Sequence, residues 1–200
     1  ADGDDFRTVG GDYYKPTDAD YEANCDEARQ LLADAGYPNG EGFPVVEYLY
    51  NTSDAHKAVA EALQFMWEEE LGVKVTLNNQ EWAAFLQTRK DGDYSIARNG
   101  WIADYNDPIS FLDMWMTGGG NNDAQYANDD YDALIKQAKT TTDNAERMDL
   151  LHQAEDKLIG EDSVLAPLYF YTQKYMLADG IEGMYYCPLG YFFFGYTHQA

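Results

Sequence analysis

The chain has 200 residues, of which 45% are hydrophobic and 15% aromatic, a content that supports a packed core and excludes wholesale disorder. Its 36 acidic residues outnumber its 13 basic residues and give a formal net charge of −23 at pH 7. A field of this sign repels nucleic acid and anionic membrane surfaces, so neither is expected as a partner. The sequence also has no apolar run near the roughly 18 residues that a membrane span requires. Its polar, acidic first residues, 1–5, are unlike a signal peptide and leave either a cytoplasmic protein or a mature or trimmed chain.

Helices and strands alternate in the first half of the chain. Apolar spacing and helix-ending glycines predict helices at 26–35, 55–71 and 81–89. Runs of β-branched and aromatic residues predict strands at 45–50, 73–77 and 94–100, the last beginning with an apolar run that indicates burial. Three consecutive residues, Asn51, Thr52 and Ser53, are candidates for the N-cap of the second helix, and Gly72 is expected to end it. The apolar face predicted for that helix comprises Val59, Leu63, Phe65, Met66 and Leu71.

The second half begins with Pro108, which suits the first turn of a helix carrying Phe111, Leu112 and Trp115. After a glycine-rich loop at 118–122, helices at 129–140 and 144–159 are predicted to form a hairpin. Late strands are predicted at 165–171 and 175–177. This order favours an α/β lobe with a partly parallel sheet.

The segment 185–194 is dense in aromatic residues and is interrupted by glycine and proline. A stretch this apolar needs a surface that covers it. Either it belongs to a neighbouring lobe absent from this chain, or it is a terminal strand folded onto its own lobe. The cysteines, Cys25 and Cys187, leave a single disulfide and two unpaired thiols as open alternatives.

The segment 98–108 carries the pattern most informative about function. Arg98 supplies a cation at the end of a predicted strand, and Gly100 leaves the backbone open to close approach. Trp101 offers a flat apolar face, and Asp104 offers a carboxylate that can pair with an amine. Together they predict an edge strand that receives an extended, zwitterionic ligand by strand addition.

Several segments carry a family resemblance, and they include Tyr50-Asn51-Thr52-Ser53-Asp54, Asn79-Gln80-Glu81-Trp82, Ala97-Arg98, Gly100-Trp101 and Ala103-Asp104-Tyr105-Asn106. Over about 26–171 the chain resembles the C-terminal part of a periplasmic oligopeptide-binding protein, the receptor of a peptide ABC importer (bacterial extracellular solute-binding protein family 5). The resemblance implies an α/β, periplasmic-binding-protein-like (type II) lobe, with a mixed sheet flanked by helices, from a larger two-lobed receptor. It further implies a peptide-binding lobe at 1–171, incomplete at its start, and a return segment at 172–200 toward the missing N-terminal lobe.

The resemblance also implies roles for individual residues. The segment Gly100–Ile102 would pair with the backbone of an extended peptide, and Asp104 would take the peptide's α-amino group. Three cations would accept the peptide's C-terminal carboxylate at graded distances: Arg98, Arg89 and His56. Three aromatic residues would line side-chain pockets or the hinge: Trp82, Trp101 and Tyr171. Exposed cations on helices are commonly just solvated, which is the competing interpretation for Arg89 and His56.

The partners implied by the resemblance are an oligopeptide, the membrane permease of an ABC importer and the missing N-terminal lobe, with no cofactor and no metal. The implied location is periplasmic or at the cell surface, outside the cytoplasmic membrane, and a lipid anchor on the full-length protein is left open. Because half of a ligand held by one lobe stays in water, this lobe alone is expected to bind peptide poorly.

Three alternatives compete with a peptide receptor. Asp104 and Asp107 form a carboxylate pair of the kind glycosidases use, but across a turn their geometry is uncontrolled, and no nucleophile–base arrangement accompanies them. Asp107, Asp113 and Tyr105 are therefore assigned to packing or capping, and no enzyme is expected. Two acidic stretches, 121–123 and 128–130, lack the ligand spacing of a calcium loop. The third alternative, a receptor of the same superfamily that binds a nickel complex, haem or an oligosaccharide, is not excluded by the sequence.

Overall fold

A computed structural model describes residues 6–13, 17–187 and 189–200. Two compact units emerge from the fold. The sheet unit comprises Arg7–Asn99 and Thr117–Ala127, and the helical unit comprises Phe6, Gly100–Met116 and Asn128–Ala200. Within the described ranges, no helix combines the length and apolarity needed to cross a membrane.

The sheet unit is built on three parallel strands in the order β2-β1-β3. These are β1 (Val46–Asn51), β2 (Val75–Gln80) and β3 (Ile96–Ala97). The central strand β1 pairs with β2 from Val46 opposite Val75 to Asn51 opposite Gln80. Its consecutive residues 48–50 are all buried, which is typical of a parallel strand covered on both faces.

Helices connect and cover these strands. They are α2 (Tyr21–Asp34), α3 (Asp54–Leu71) and α4 (Trp82–Asp91), with a 3₁₀ turn at Pro38–Gly40. A short helix, α1 (Phe6–Gly10), begins the described chain. Ser53, one of the three predicted candidates, caps α3, since its side chain accepts the His56 N–H. Gly72 ends α3 as predicted, at φ +68°, where a Cβ would collide with the carbonyl oxygen of Asn39.

Two predictions for the sheet unit are wrong in detail. Phe65 is 65% exposed and lies outside the core face of α3, because it is two positions from buried Leu63 and so about 200° away around the helix. The strand predicted at 94–100 is reduced to Ile96–Ala97, and Ile96 is 40% exposed. This strand pairs with β1 at two positions only and lies at the sheet edge, so its outer side is not packed as the apolar run had indicated.

The helical unit contains α5 (Ile109–Leu112), α6 (Asp129–Thr140) and α7 (Asn144–Glu155), with a 3₁₀ turn at Asp113–Trp115 and a π-helical turn at Asp156–Glu161. The predicted α6–α7 hairpin is confirmed. The side chains of Asn128 and Asp143 cap the two helices by accepting N–H groups of the first turn. The helix predicted after Pro108 is shorter than expected, since it gives way to the 3₁₀ turn and leaves Phe111 exposed while Leu112 and Trp115 are buried.

The late part of the chain differs more from the prediction. No strand forms at 165–171 or 175–177, although both runs are rich in strand-forming residues. A strand needs a neighbour for its N–H and C=O groups, and none of the described residues pairs with these segments.

The aromatic segment instead forms a hairpin of its own. In it β5 (Tyr185–Cys187) pairs with β6 (Tyr191–Phe193), and β4 (Ile181–Glu182) pairs with β7 (His198–Gln199). Tyr185 stacks on Phe193 at 4.6 Å between ring centroids, so the aromatic rings partly cover one another. Cys25 and Cys187 are both free thiols in this structure. The predicted division at residue 171, like the covering of the aromatic segment by another lobe, stays a prediction.

Candidate functional site

The predicted amine anchor, Asp104, lies on an irregular loop of the helical unit. Its backbone N–H donates to Oγ of the buried Ser110 at 2.9 Å, which closes the loop onto the start of α5. The Asp104 carboxylate is exposed and has no hydrogen-bond or ion-pair partner among the described residues. A carboxylate presented in this way is available to a cationic group of a ligand.

The segment Gly100–Ile102, predicted to pair with a peptide, lies just before this loop. It forms no ladder with another strand of the described chain, and Ile102 is 67% exposed. Trp101 is half-buried, and its Nε1 is a buried donor with no partner in the part of the chain that the structure describes. The pairing of the segment Gly100–Ile102 with a peptide backbone stays a prediction.

A shallow cavity of about 340 Å³ adjoins Asp104 within the helical unit. It is lined by Ile102, Ala103, Asp104, Leu189, Gly190 and Tyr191. The combination of one carboxylate with apolar side chains can hold an ammonium group next to an apolar substituent. The turn residues of the β5–β6 hairpin were missed by the sequence reasoning, because nothing in a lone Leu-Gly-Tyr indicates what it will face.

An ion pair lies beside the Asp104 loop. Asp107 receives two hydrogen bonds from the Arg147 guanidinium of α7, at 2.8 and 2.9 Å, and a third from the Ile109 N–H at 2.9 Å. Burial raises the pKa of Asp107, but the bonds from Arg147 and Ile109 outweigh it and hold the pKa below its usual range. The sequence assigns Asp107 to packing or capping, and its carboxylate is indeed engaged within the protein, by Arg147 and by the first N–H of α5. Its engagement leaves Asp104 as the carboxylate of the two that is open to a ligand.

In the sheet unit, two of the predicted cations meet at the carboxyl end of β1. The last residue of this strand, Asn51, has its carbonyl oxygen 3.4 Å from Nδ1 of His56, and its side-chain oxygen accepts from Arg98 at 3.5 Å. Burial, followed by the positive charge of Arg98, lowers the pKa of His56. Carboxyl ends of parallel strands are common places for ligands, and here they carry a guanidinium and an imidazole.

The other two predicted residues of the sheet unit lie on α4. Arg89 is only 7% exposed, pairs with Asp123 at 2.5 Å and lies over the Phe85 ring at 5.2 Å. It is therefore neither solvated, as an exposed helical cation would be, nor open to a ligand without leaving Asp123. Trp82 is exposed and stacks on Phe85 at 5.8 Å.

The last predicted residue, Tyr171, lies in the irregular segment of the helical unit. Its ring is exposed and packs edge-on against Tyr169 at 5.1 Å, and its hydroxyl accepts from that residue at 3.3 Å. The helical unit thus holds Asp104, the segment Gly100–Ile102 and Tyr171, while the sheet unit holds the three cations and Trp82.

The acidic stretches weighed as calcium loops have other contacts. Asp123 pairs with Arg89, and Asn128 caps α6. Asn122 closes its own turn through two hydrogen bonds with the backbone of Tyr126. Across the described ranges no cluster of three or more His, Cys, Asp or Glu has a geometry that could hold a metal ion.

The sequence of the chain is similar to those of known proteins. A family model described as "Bacterial extracellular solute-binding proteins, family 5 Middle" matches residues 5–123. The chain is 39% identical over 191 residues to the dipeptide-binding protein DppE of Bacillus subtilis, an alignment that covers 95% of this chain and 34% of that protein. The chain therefore spans about a third of the length of this relative.

Solved structures agree with the sequence comparison. The substrate-binding domain of an oligopeptide ABC transporter from Bacillus anthracis matches with a TM-score of 0.77 and 28% identity, covering 99% of this chain and 38% of that one. Haemophilus influenzae OppA in complex with the peptide RPPGFSPFR matches with a TM-score of 0.62 and 37% identity, covering 67% and 26%. These matches agree with the predicted fold class, which is that of a periplasmic-binding-protein-like receptor of which this chain corresponds to a part.

Proposed function

Because the chain belongs to family 5 of the bacterial extracellular solute-binding proteins, we propose that it is one lobe of a receptor that binds extended oligopeptides and delivers them to an ABC importer. Similarity to proteins named for dipeptide and oligopeptide binding supports peptides as the solute class. In this proposal the receptor acts outside the cytoplasmic membrane, and its partners are the permease and an N-terminal lobe.

The observation that carries the proposal is the state of the Asp104 carboxylate. It is exposed, it lacks a partner among the described residues, and it adjoins a cavity that the apolar side chains of Ile102 and Leu189 also line. A peptide's α-ammonium group and first side chain match this combination of charge and apolar surface. Within a closed cleft that excludes water, the charged hydrogen bond would be stronger than on an open surface.

The opposite end of the peptide requires positive charge, which Arg98 would supply, with His56 as a second acceptor. The guanidinium of Arg98 can bind a carboxylate in a bidentate manner, whereas His56 must first take up a proton. Arg89 serves as a further acceptor in this proposal only where the ligand carboxylate replaces that of Asp123. Since an extended chain advances about 3.3 Å per residue, a choice of acceptors at different positions would suit peptides of different lengths.

Between the two ends, the backbone of Gly100–Ile102 would pair with the backbone of the peptide. Pairing of this kind satisfies N–H and C=O groups common to all peptides, so it tolerates many sequences. Trp82, Trp101 and Tyr171 would supply apolar surface for the side chains.

Charge reversal at the anchor tests the proposal. In the receptor, Asp104→Lys is expected to abolish binding of tri- to pentapeptides in calorimetric titration, because it places a cation against the ligand's ammonium. Asp179→Lys is the matched control, since Asp179 is an exposed carboxylate of the same unit and its reversal changes the net charge equally. Unchanged binding by Asp104→Lys would refute the anchor. Absence of peptide binding by the wild type would favour the other solutes, a nickel complex, haem or an oligosaccharide.

A further inference from the structure

A bidentate ion pair links α7 to the loop that presents Asp104. Nη1 and Nη2 of Arg147 lie 2.8 and 2.9 Å from the two oxygens of Asp107. The two side chains are 20% and 26% exposed, so the pair is largely shielded from water. Parallel hydrogen bonds of this type define an orientation as well as a distance, which a single ammonium–carboxylate contact does not.

The same carboxylate also fixes the backbone at the start of α5. Oδ1 of Asp107 accepts the N–H of Ile109, and the Asp107 carbonyl oxygen accepts the N–H of Ser110 at 3.1 Å. Oγ of Ser110 in turn accepts the Asp104 N–H. A continuous set of contacts thus runs from Arg147 through Asp107 and Ser110 to the backbone of Asp104.

The helix that carries Arg147 is a rigid support for this set of contacts. Arg147 lies in the first turn of α7, where its N–H donates to the carbonyl oxygen of the N-cap residue Asp143 at 2.9 Å. Farther along the helix, Leu150, Leu151 and Ala154 are buried. The guanidinium therefore starts from a fixed backbone and reaches a loop that has little regular structure of its own.

We infer that Arg147 is a positioning residue for the Asp104 anchor: through Asp107 it holds the 104–108 loop so that the Asp104 carboxylate faces the ligand's ammonium group. This inference rests on the proposed function and extends it to a residue that does not itself touch the peptide. Deleting the guanidinium leaves Asp107 unneutralised beside the site. That extra negative charge alone would strengthen the attraction for an ammonium group, so a loss of amine preference reports geometry and not charge.

The test compares trialanine with N-acetyltrialanine in calorimetric titrations of the receptor. The dissociation constant of N-acetyltrialanine divided by that of trialanine measures how much the free ammonium group contributes to binding. Arg147→Met is expected to reduce this ratio about tenfold, the scale of one charged hydrogen bond. Arg147→Lys retains the charge but not the bidentate geometry and is expected to reduce the ratio as well, although less. The control, Lys139→Met, breaks an ion pair with Asp113 at 3.0 Å in the same unit and is expected to leave the ratio unchanged.

Each outcome has a distinct meaning. A role in folding alone would lower the thermal stability of Arg147→Met and weaken both ligands equally, which would overturn the inference. An unchanged ratio in both Arg147 variants would also overturn it, while the amine anchor would stand. If Arg147→Met does not fold, the Arg147→Lys ratio decides. A wild-type receptor that binds the two ligands equally would remove the Asp104 anchor, and the positioning role with it.

Discussion

Arg89 provides the sharpest stability prediction, because its ion pair with Asp123 is among the most buried in the sheet unit. In Arg89→Met the Asp123 carboxylate, 20% exposed, would lose its counter-ion. Removing one partner of a buried ion pair costs about 3–5 kcal/mol. Because Asp123 is partly solvated, we expect a smaller loss, about 2–3 kcal/mol, in the free energy of unfolding.

Thermal unfolding followed by circular dichroism measures this loss. For a protein of this size 1 kcal/mol corresponds to roughly 2–4 °C, so the midpoint is expected to fall by roughly 4–12 °C. Lys90→Met is the matched control, since Lys90 is the next residue of α4 and is exposed, and its midpoint should stay close to that of the wild type. Equal midpoints for the Arg89 and Lys90 variants would refute the structural role of the ion pair.

Three further predictions follow from the sheet unit and the net charge. In urea unfolding, Gly72→Ala should destabilise the protein by about 2 kcal/mol or more, because the new Cβ would meet the Asn39 carbonyl. Gly36→Ala, at φ +95° with open space around the new Cβ, should cost only about 1 kcal/mol. Burial lowers the pKa of His56 from its usual 6.5, so as pH falls the unfolded state takes up the proton first. The free energy of unfolding should therefore decrease below about pH 6.5. His56→Gln should make this decrease with pH less steep, and an equally steep decrease would contradict the burial of His56. The net charge of −23 implies that the acidic residues repel one another. Raising salt from about 0.1 M to about 1 M shortens the screening length from about 10 to about 3 Å, so it should weaken this repulsion and raise the thermal midpoint. A falling midpoint would contradict this self-repulsion.

Local signals explain where the sequence predicted the fold well. The helix expected at 129–140 coincides with α6, because Asn128 caps it through contacts only two and three residues away. Gly72 ends α3 for an equally local reason, the positive φ that a glycine adopts without strain. The α6–α7 hairpin follows from two such helices separated by a short, capped connection.

Contacts distant in sequence explain where prediction failed. The Arg89–Asp123 and Arg147–Asp107 pairs join residues 34 and 40 positions apart, so neither pattern is visible in the local sequence. The strand predicted at 165–171 has suitable residues, but a strand exists only with a partner, which composition does not supply. For the candidate site, the resemblance predicts individual residues, and their roles stay predictions. The position of the hairpin turn beside Asp104 and the ion pair of Arg89 became visible only in the three-dimensional structure.

Calorimetric titration of the wild-type receptor with tri- to pentapeptides and with their N-acetylated copies tests the central claim most directly. A receptor that uses Asp104 as an amine anchor should bind the free peptides and lose most of that affinity on acetylation, since the blocked terminus carries no charge. Equal affinity for free and acetylated peptides would contradict the account.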